Sequence, residues 1–299
     1  MSEYNETIKR LLFQAVEFHV HFAPDGLTKR KNDAFELLME AKAVGMKAVV
    51  LKNKSFGTGA IAQLANKYCD GAMAIGGITL DSSVGGINPE AVAIEAAMGS
   101  EIVWMPTYSS KNDPHHMDTE KQKIRNGLMV IDNNGKLVPE IIEILEIIKE
   151  NNMILATGHI SRDEIFTLFD KAIEIGIKNL VVNHPLTPSV GTRLTLSDQI
   201  ELSKIGAYMD HCWVATMPKH SQLPITEYVT AIREVGVNKC IMSTDFGQIH
   251  NPTPLEGFRH MVQALLKEGF KLEEIEQMIK KNPTELLDLD KGMNKNDEK

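Results

Sequence analysis

Short runs of apolar and β-branched residues alternate along the chain with longer segments in which apolar positions recur every three or four residues. The short runs are AVEFHV, AVVLK, AMAIGGITL, EIVWMP, MILATG, LVVN, GAYMDH and CIMSTD, and each reads as a strand. Between and after them lie helical patterns such as DAFELLMEAKAV, VPEIIEILEIIKE, SRDEIFTLFDKAIEI and PLEGFRHMVQALLK. Ser161 with Glu164 three residues on forms a capping box, and Gly45, Gly176 and Gly236 stand where helices should stop. Eight strand–helix pairs in about 270 residues predict a single-domain α/β fold, the (β/α)8 TIM barrel. A doubly wound sheet would also alternate, but no glycine-rich phosphate turn follows the first strand.

The barrel is expected to occupy residues 1–290, with 291–299, a charge-rich KGMNKNDEK end, as a disordered tail. LMVIDNNGKLV predicts a small β-hairpin inserted after strand four, turning at Asn133-Asn134-Gly135. KLEEIEQMIKKNPTELLDL predicts an extra C-terminal helix packed outside the barrel.

Composition narrows the function classes. The 299 residues are 43% hydrophobic and 24% charged, which is ordinary for a globular protein able to bury a large core. A net charge of −8, with lysine and arginine interspersed among acids, opposes nucleic-acid binding. No stretch is long and apolar enough to span a membrane, and the opening MSEYNETIKRLLFQA lacks signal-peptide character. Three scattered cysteines do not make a disulfide framework, so a cytoplasmic protein is expected. The expected partner is a small-molecule substrate, with homo-oligomerisation open.

VEFHVHFAPD carries the first candidate chemistry. Strand side chains alternate between faces, so Val16, Phe18, Val20 and Phe22 form one set and Glu17, His19 and His21 the other. The apolar set should face the helices, turning His19 and His21 toward the barrel axis at the strand's carboxyl end. His159 ends MILATGH, His184 ends LVVNH and Asp245 ends CIMSTD, the fifth, sixth and eighth runs. Each histidine alone reads as a satisfied polar strand end. Together, imidazoles and a carboxylate are the donors that suit zinc and related divalent ions.

These positions resemble the amidohydrolase superfamily of metal-dependent barrel hydrolases. That family carries His-x-His on strand one, histidines ending strands five and six, and aspartate ending strand eight, matched here by His19 and His21, His159, His184 and Asp245. KKNPTELLDL is similar to the Asn-Pro helix that often follows such barrels, while VLKNK, GGINPEAV and VWMPT suggest a subgroup whose substrate the motifs do not identify. Glu17 replaces the usual aspartate before His-x-His, and EIVWMP offers no lysine or glutamate to bridge two metals. The leaner expectation is one ion on His19, His21, His159 and Asp245, with His184 beside the reactive water or on a second ion.

The resemblance implies a metal-dependent hydrolase using a metal-activated water to cleave an amide, lactone or ester, with Asp245 and His184 catalytic. Zinc is the first expectation, with manganese, iron or nickel as alternatives. Lys52, Arg193 and His211 are candidates for bridging or substrate binding, and Lys52 reads equally as a solvated lysine at a strand end. His115 and His116 fall in a long loop that could form a lid, and Lys219 and His220 in a loop expected to open on the same face. A metal-dependent decarboxylase with the same ligand set and a non-catalytic small-molecule-binding barrel are the alternatives.

Overall fold

The computed structural model describes residues 2–114, 127–190 and 192–290; His115, His116 and the expected tail at 291–299 lie outside them. Helix α1 (Ser2–Leu12), which the strand–helix alternation does not foresee, buries Ile8, Leu11 and Leu12. Then come β1 (Val16–His21), α2 (Ala34–Ala43), β2 (Ala48–Lys52), α3 (Gly59–Tyr68), β3 (Met73–Ile75), β4 (Gly77–Thr79), α4 (Pro89–Ala97) and β5 (Ile102–Trp104). The second half runs α5 (Pro139–Glu150), β6 (Ile154–Ala156), α6 (Arg162–Glu174), β7 (Leu180–Asn183), α7 (Leu196–Lys204), β8 (Tyr208–Cys212), α8 (Ile225–Val235), β9 (Cys240–Ser243) and α9 (Pro254–Lys267).

All strand pairs are parallel, and they form two sheets, β1-β2-β3 and β4 through β9 in sequence order, rather than one continuous ring. The expected third strand is split at Gly76-Gly77. A Cβ on Gly76 would lie 2.7 Å from Gly59 Cα, and one on Gly77 would lie 2.5 Å from the Trp104 ring, so both neighbours approach only because side chains are absent. At the other seam, Asp245 N–H donates to His19 O (2.7 Å) and His21 N–H to Phe246 O (2.8 Å).

Two apolar layers hold the sheets. Val16, Phe18, Ala48, Val50, Ile75, Ile102, Ile154, Val181 and Ile241 meet on the inner face, whereas Val20, Val49, Val103, Leu155 and Val182 pack outward under the helices. Ile131 and Leu137 form an isolated antiparallel bridge where the hairpin is expected. The last segment comprises α10 (Leu272–Glu276), a π-helical turn (Gln277–Lys281) and α11 (Asn282–Leu286). The widened turn precedes Pro283, which has no N–H to return to the preceding turn. Asn282 Nδ2 ties the segment to Val237 O (2.8 Å) and Cys240 O (2.7 Å). Leu286, Leu287 and Leu289 join the inner apolar layer, so this end plugs the sheet interior instead of lying outside it. No helix among the described residues is long and apolar enough to cross a membrane.

Candidate metal centre

A bulge in β1 builds the first half of the site. Its register against β2 shifts between Glu17 and Val20, so Phe18 joins Val16 on the inner face while Val20 and Phe22 point outward. Strict alternation is therefore corrected: Phe18 does not face the helices, and Glu17 does not share a face with His19. Glu17 lies on the helix side with Val20, Leu37 and Phe258, where burial pushes its carboxyl up to about 8. Its Oε1 accepts the backbone N–H groups of His19 (3.2 Å) and Thr244 (3.1 Å), clamping the bulge to the end of β9.

His19 and His21 project inward with ring centres 5.7 Å apart. His184 and Asp245 follow β7 and β9 in the left-handed backbone region (φ 53° for both), a conformation costing about 1–3 kcal/mol that Asp and His tolerate better than bulky residues. Gly158, at φ 55°, lets the chain pass Met105 O, where a Cβ would sit at 2.1 Å, and delivers His159 beside His184 with ring centres 5.1 Å apart. Burial first of all holds the pKa of His19, His21, His159 and His184 below the ordinary imidazole value, so the rings are neutral.

The tautomers follow from the partners. His21 Nδ1 lies 3.2 Å from Lys52 O, a carbonyl that can only accept, so Nδ1 carries the proton. His19 Nδ1 faces the Asp210 carboxylate at 3.0 Å, and His159 Nδ1 that of Asp113. Each ring thereby turns an Nε2 lone pair toward the interior. His21 Nε2 stands 3.0 Å and His19 Nε2 3.4 Å from Asp245 Oδ1, a buried oxygen with no hydrogen-bond donor among the described residues. Electron-rich atoms at such separations repel; a shared cation converts the repulsion into coordination. The ligand atoms of His19, His21 and Asp245 lie within 4.8 Å of one another. The arrangement fits a divalent ion, and the carboxylate–histidine pairs are the outer support such ligands require.

Asp245 is pushed up to about 6 by burial, an effect that Lys52, Lys54 and Arg30 oppose. His184 Nε2 is 3.8 Å from Asp245 Oδ2, and its Nδ1 has no hydrogen-bond partner among the described residues. Lys52 is fully buried, not solvated: its Nζ lies 3.1 Å from His19 Nε2 and 5.1 Å from the centre of the Trp104 ring, and burial lowers its pKa to about 8.

Two sequence candidates fall elsewhere. His211 packs edge-on against Tyr228 of α8 with neither ring nitrogen hydrogen-bonded among the described residues, and burial lowers its pKa to about 4. Arg193 is half exposed and paired with Glu227 (2.6 Å) in a separate groove with Leu186 and Thr226. Sequence reading missed Asp210, which also accepts from Asn183 Nδ2 (3.0 Å) and Ser243 Oγ (2.5 Å), and Asp113. In YMDHC it is the aspartate, not the adjacent histidine, that faces inward, and no local pattern marks Asp113. Lys219 and His220 do open on the site, lining a cavity of about 190 Å³ with His21, Lys54, His184 and Asp245.

Residues 14–210 match the model of a family of unknown function, DUF6282. The chain belongs to DUF6282. The match spans His19, His21, Lys52, His159, His184 and Asp210 and ends before Asp245. No curated protein is significantly similar to this DUF6282 chain in sequence. Its fold is similar to that of an amidohydrolase from Pseudomonas aeruginosa, with 12% identity, 94% of this chain and 98% of that one covered, and a TM-score of 0.60. It is similar also to an organophosphorus hydrolase from Deinococcus radiodurans (13% identity, 91% of both chains, TM-score 0.55). A third likeness is to 2,6-dihydroxybenzoate decarboxylase from Rhizobium (12% identity, 92% of this chain and 98% of that one, TM-score 0.54). The DUF6282 chain thus shares with these proteins a mixed α/β fold built on parallel sheets.

Proposed function

We propose that the protein is a metal-dependent hydrolase of amides, lactones or esters, with zinc the preferred ion, built on a (β/α)8 barrel whose seams are the Gly76-Gly77 break and the β9–β1 backbone bonds. One observation carries this reading: neutral His19 and His21 both turn Nε2 lone pairs onto the donor-free Oδ1 of Asp245. His159 and His184 complete the wall of imidazoles. A divalent ion bound there supplies Lewis acidity, polarising a substrate carbonyl and acidifying water toward a pKa of about 7.

The chain's own groups handle orientation and protons. Asp245 accepts the proton of the attacking water at its carboxylate and returns it to the leaving group. His184, on the cavity side of Asp245, hydrogen-bonds the substrate oxygen on which charge develops. Lys52 is held between His19 and Trp104, with Nζ beside His19 Nε2; carboxylated by carbon dioxide, it would exchange its positive charge for an anionic oxygen donor that could help hold an ion there. His211 and Arg193 take no part.

A decarboxylase reading shares the ligand set and differs in the bond broken. The test is a screen of metal-loaded protein against N-acyl amino acids, lactones, esters, phosphoesters and carboxylated aromatics. Turnover of an amide, lactone or ester that chelation abolishes and zinc restores is expected. Carbon dioxide release from an aromatic acid would favour the decarboxylase, and stoichiometric binding without turnover of any class would favour a non-catalytic barrel.

A further inference from the structure

Two residues past β2, Lys54 brings a cation to the cavity that nothing in the ligand set uses. Its side chain is almost wholly enclosed, with 4% of the residue exposed, and Nζ lies over the Tyr108 ring, 3.0 Å from the centre. No carboxylate of the described residues pairs with that ammonium, whereas Arg30, enclosed nearby, is paired with Asp25 at 2.7 Å. Burying a lysine without a counter-ion is costly, and a ring face offsets only part of the cost. The backbone around it is fixed: Asn53 Nδ2 donates to Pro24 O (2.9 Å), its Oδ1 accepts from Ser55 N–H (2.9 Å), and Lys54 O accepts from Ser83 Oγ. Lys54 is thus held in place as the wall of the cavity that also exposes His21, His159, His184 and Asp245.

The cavity's charge points the same way. Its only carboxylate among the described lining residues is Asp245, which faces the imidazoles, while Lys54 lines the wall and Lys219 stands exposed at the rim. A neutral substrate would leave the Lys54 ammonium uncompensated; an anionic one supplies the missing partner. With one buried ammonium, no arginine among the described lining residues, and Val190 and Val214 in the walls, the subsite suits a carboxylate better than a phosphate, which usually engages several donors or a guanidinium fork. The cavity, at about 190 Å³, is smaller than typical sites for drug-sized ligands, about 300–1,000 Å³.

We propose that Lys54 is a specificity-determining residue that binds a carboxylate of the substrate, so that the protein acts on small organic acids bearing the scissile group at one end and a free carboxylate at the other. The proposal rests on the hydrolase reading for the scissile end alone.

The test measures binding by calorimetry to zinc-loaded protein, using the linear dicarboxylates from malonate to adipate, butyrate, and inorganic phosphate. At least one dicarboxylate should bind ten-fold or more tighter than butyrate. Lys54→Met should remove that advantage, with zinc content unchanged, and Lys54→Arg should restore most of it. Equal dicarboxylate affinity in wild type and Lys54→Met overturns the proposal, as does failure of the whole series to bind the zinc-loaded protein. Phosphate binding that exceeds the dicarboxylates and depends on Lys54 overturns the choice of carboxylate. Failure of the protein to take up zinc instead removes the hydrolase reading, and Lys54-dependent dicarboxylate binding to that metal-free protein would still uphold the subsite.

Discussion

Asp210 Oδ2 lies 3.0 Å from His19 Nδ1 at full burial, fixing which nitrogen of His19 carries the proton and which faces Asp245. Asn183 and Ser243 hold the aspartate in turn, so strands β7, β8 and β9 all support one ligand of β1. Asp210→Asn should keep the fold and weaken divalent-metal affinity about 10–100-fold, the usual effect of removing such a support. Metal competition with a chromophoric chelator measures it, and an unchanged affinity would show that His19 is not a ligand.

Glu17 is predicted to matter for stability through its oxygen rather than its charge. With its carboxyl pushed up to about 8, it is largely protonated at pH 7, so Glu17→Gln preserves an acceptor for the His19 and Thr244 N–H groups. That variant should stay within about 1 kcal/mol of wild type, whereas Glu17→Ala strands two buried donors at about 1–3 kcal/mol each. Denaturant unfolding of both variants at pH 7 provides the comparison; equal losses would contradict this role.

Metal affinity should weaken in acid with a particular slope. The imidazoles are held well below their ordinary pKa and need no deprotonation near neutrality, whereas Asp245 is raised to about 6. As pH falls below about 6, Asp245 takes up a proton that the ion must displace, so affinity should drop about ten-fold per pH unit, one proton per ion. Chelator competition from pH 7 to pH 5 reads the slope. A three-proton slope starting near 6.5 would mean that the histidines titrate like exposed ones.

The candidate ligands are legible in the sequence because each lies at the end of an apolar run, and the strand–helix alternation orders those runs. Strict alternation groups His19 and His21 with Glu17, but the bulge breaks the period between Glu17 and Val20, and a period of two does not encode one extra residue. The same limit hid Asp210: adjacent Asp210 and His211 face opposite sides of β8, and only the packing of His211 on Tyr228 reveals which points inward. Lys54 and Asp113 are placed by loop paths, which hydrophobic pattern does not encode. The splitting of the third strand came from close approach of Gly59 and Trp104, contacts distant along the chain.

Metal analysis of purified protein, wild type beside His21→Ala and Asp245→Asn, tests the shared cation between these residues most directly. Protein produced in zinc-supplemented medium and dialysed should retain one to two divalent ions per chain, with each variant losing at least one while keeping the wild-type circular dichroism spectrum. Wild-type protein without metal above background, or folded variants with undiminished metal, would contradict the assignment of His21 and Asp245 as ligands.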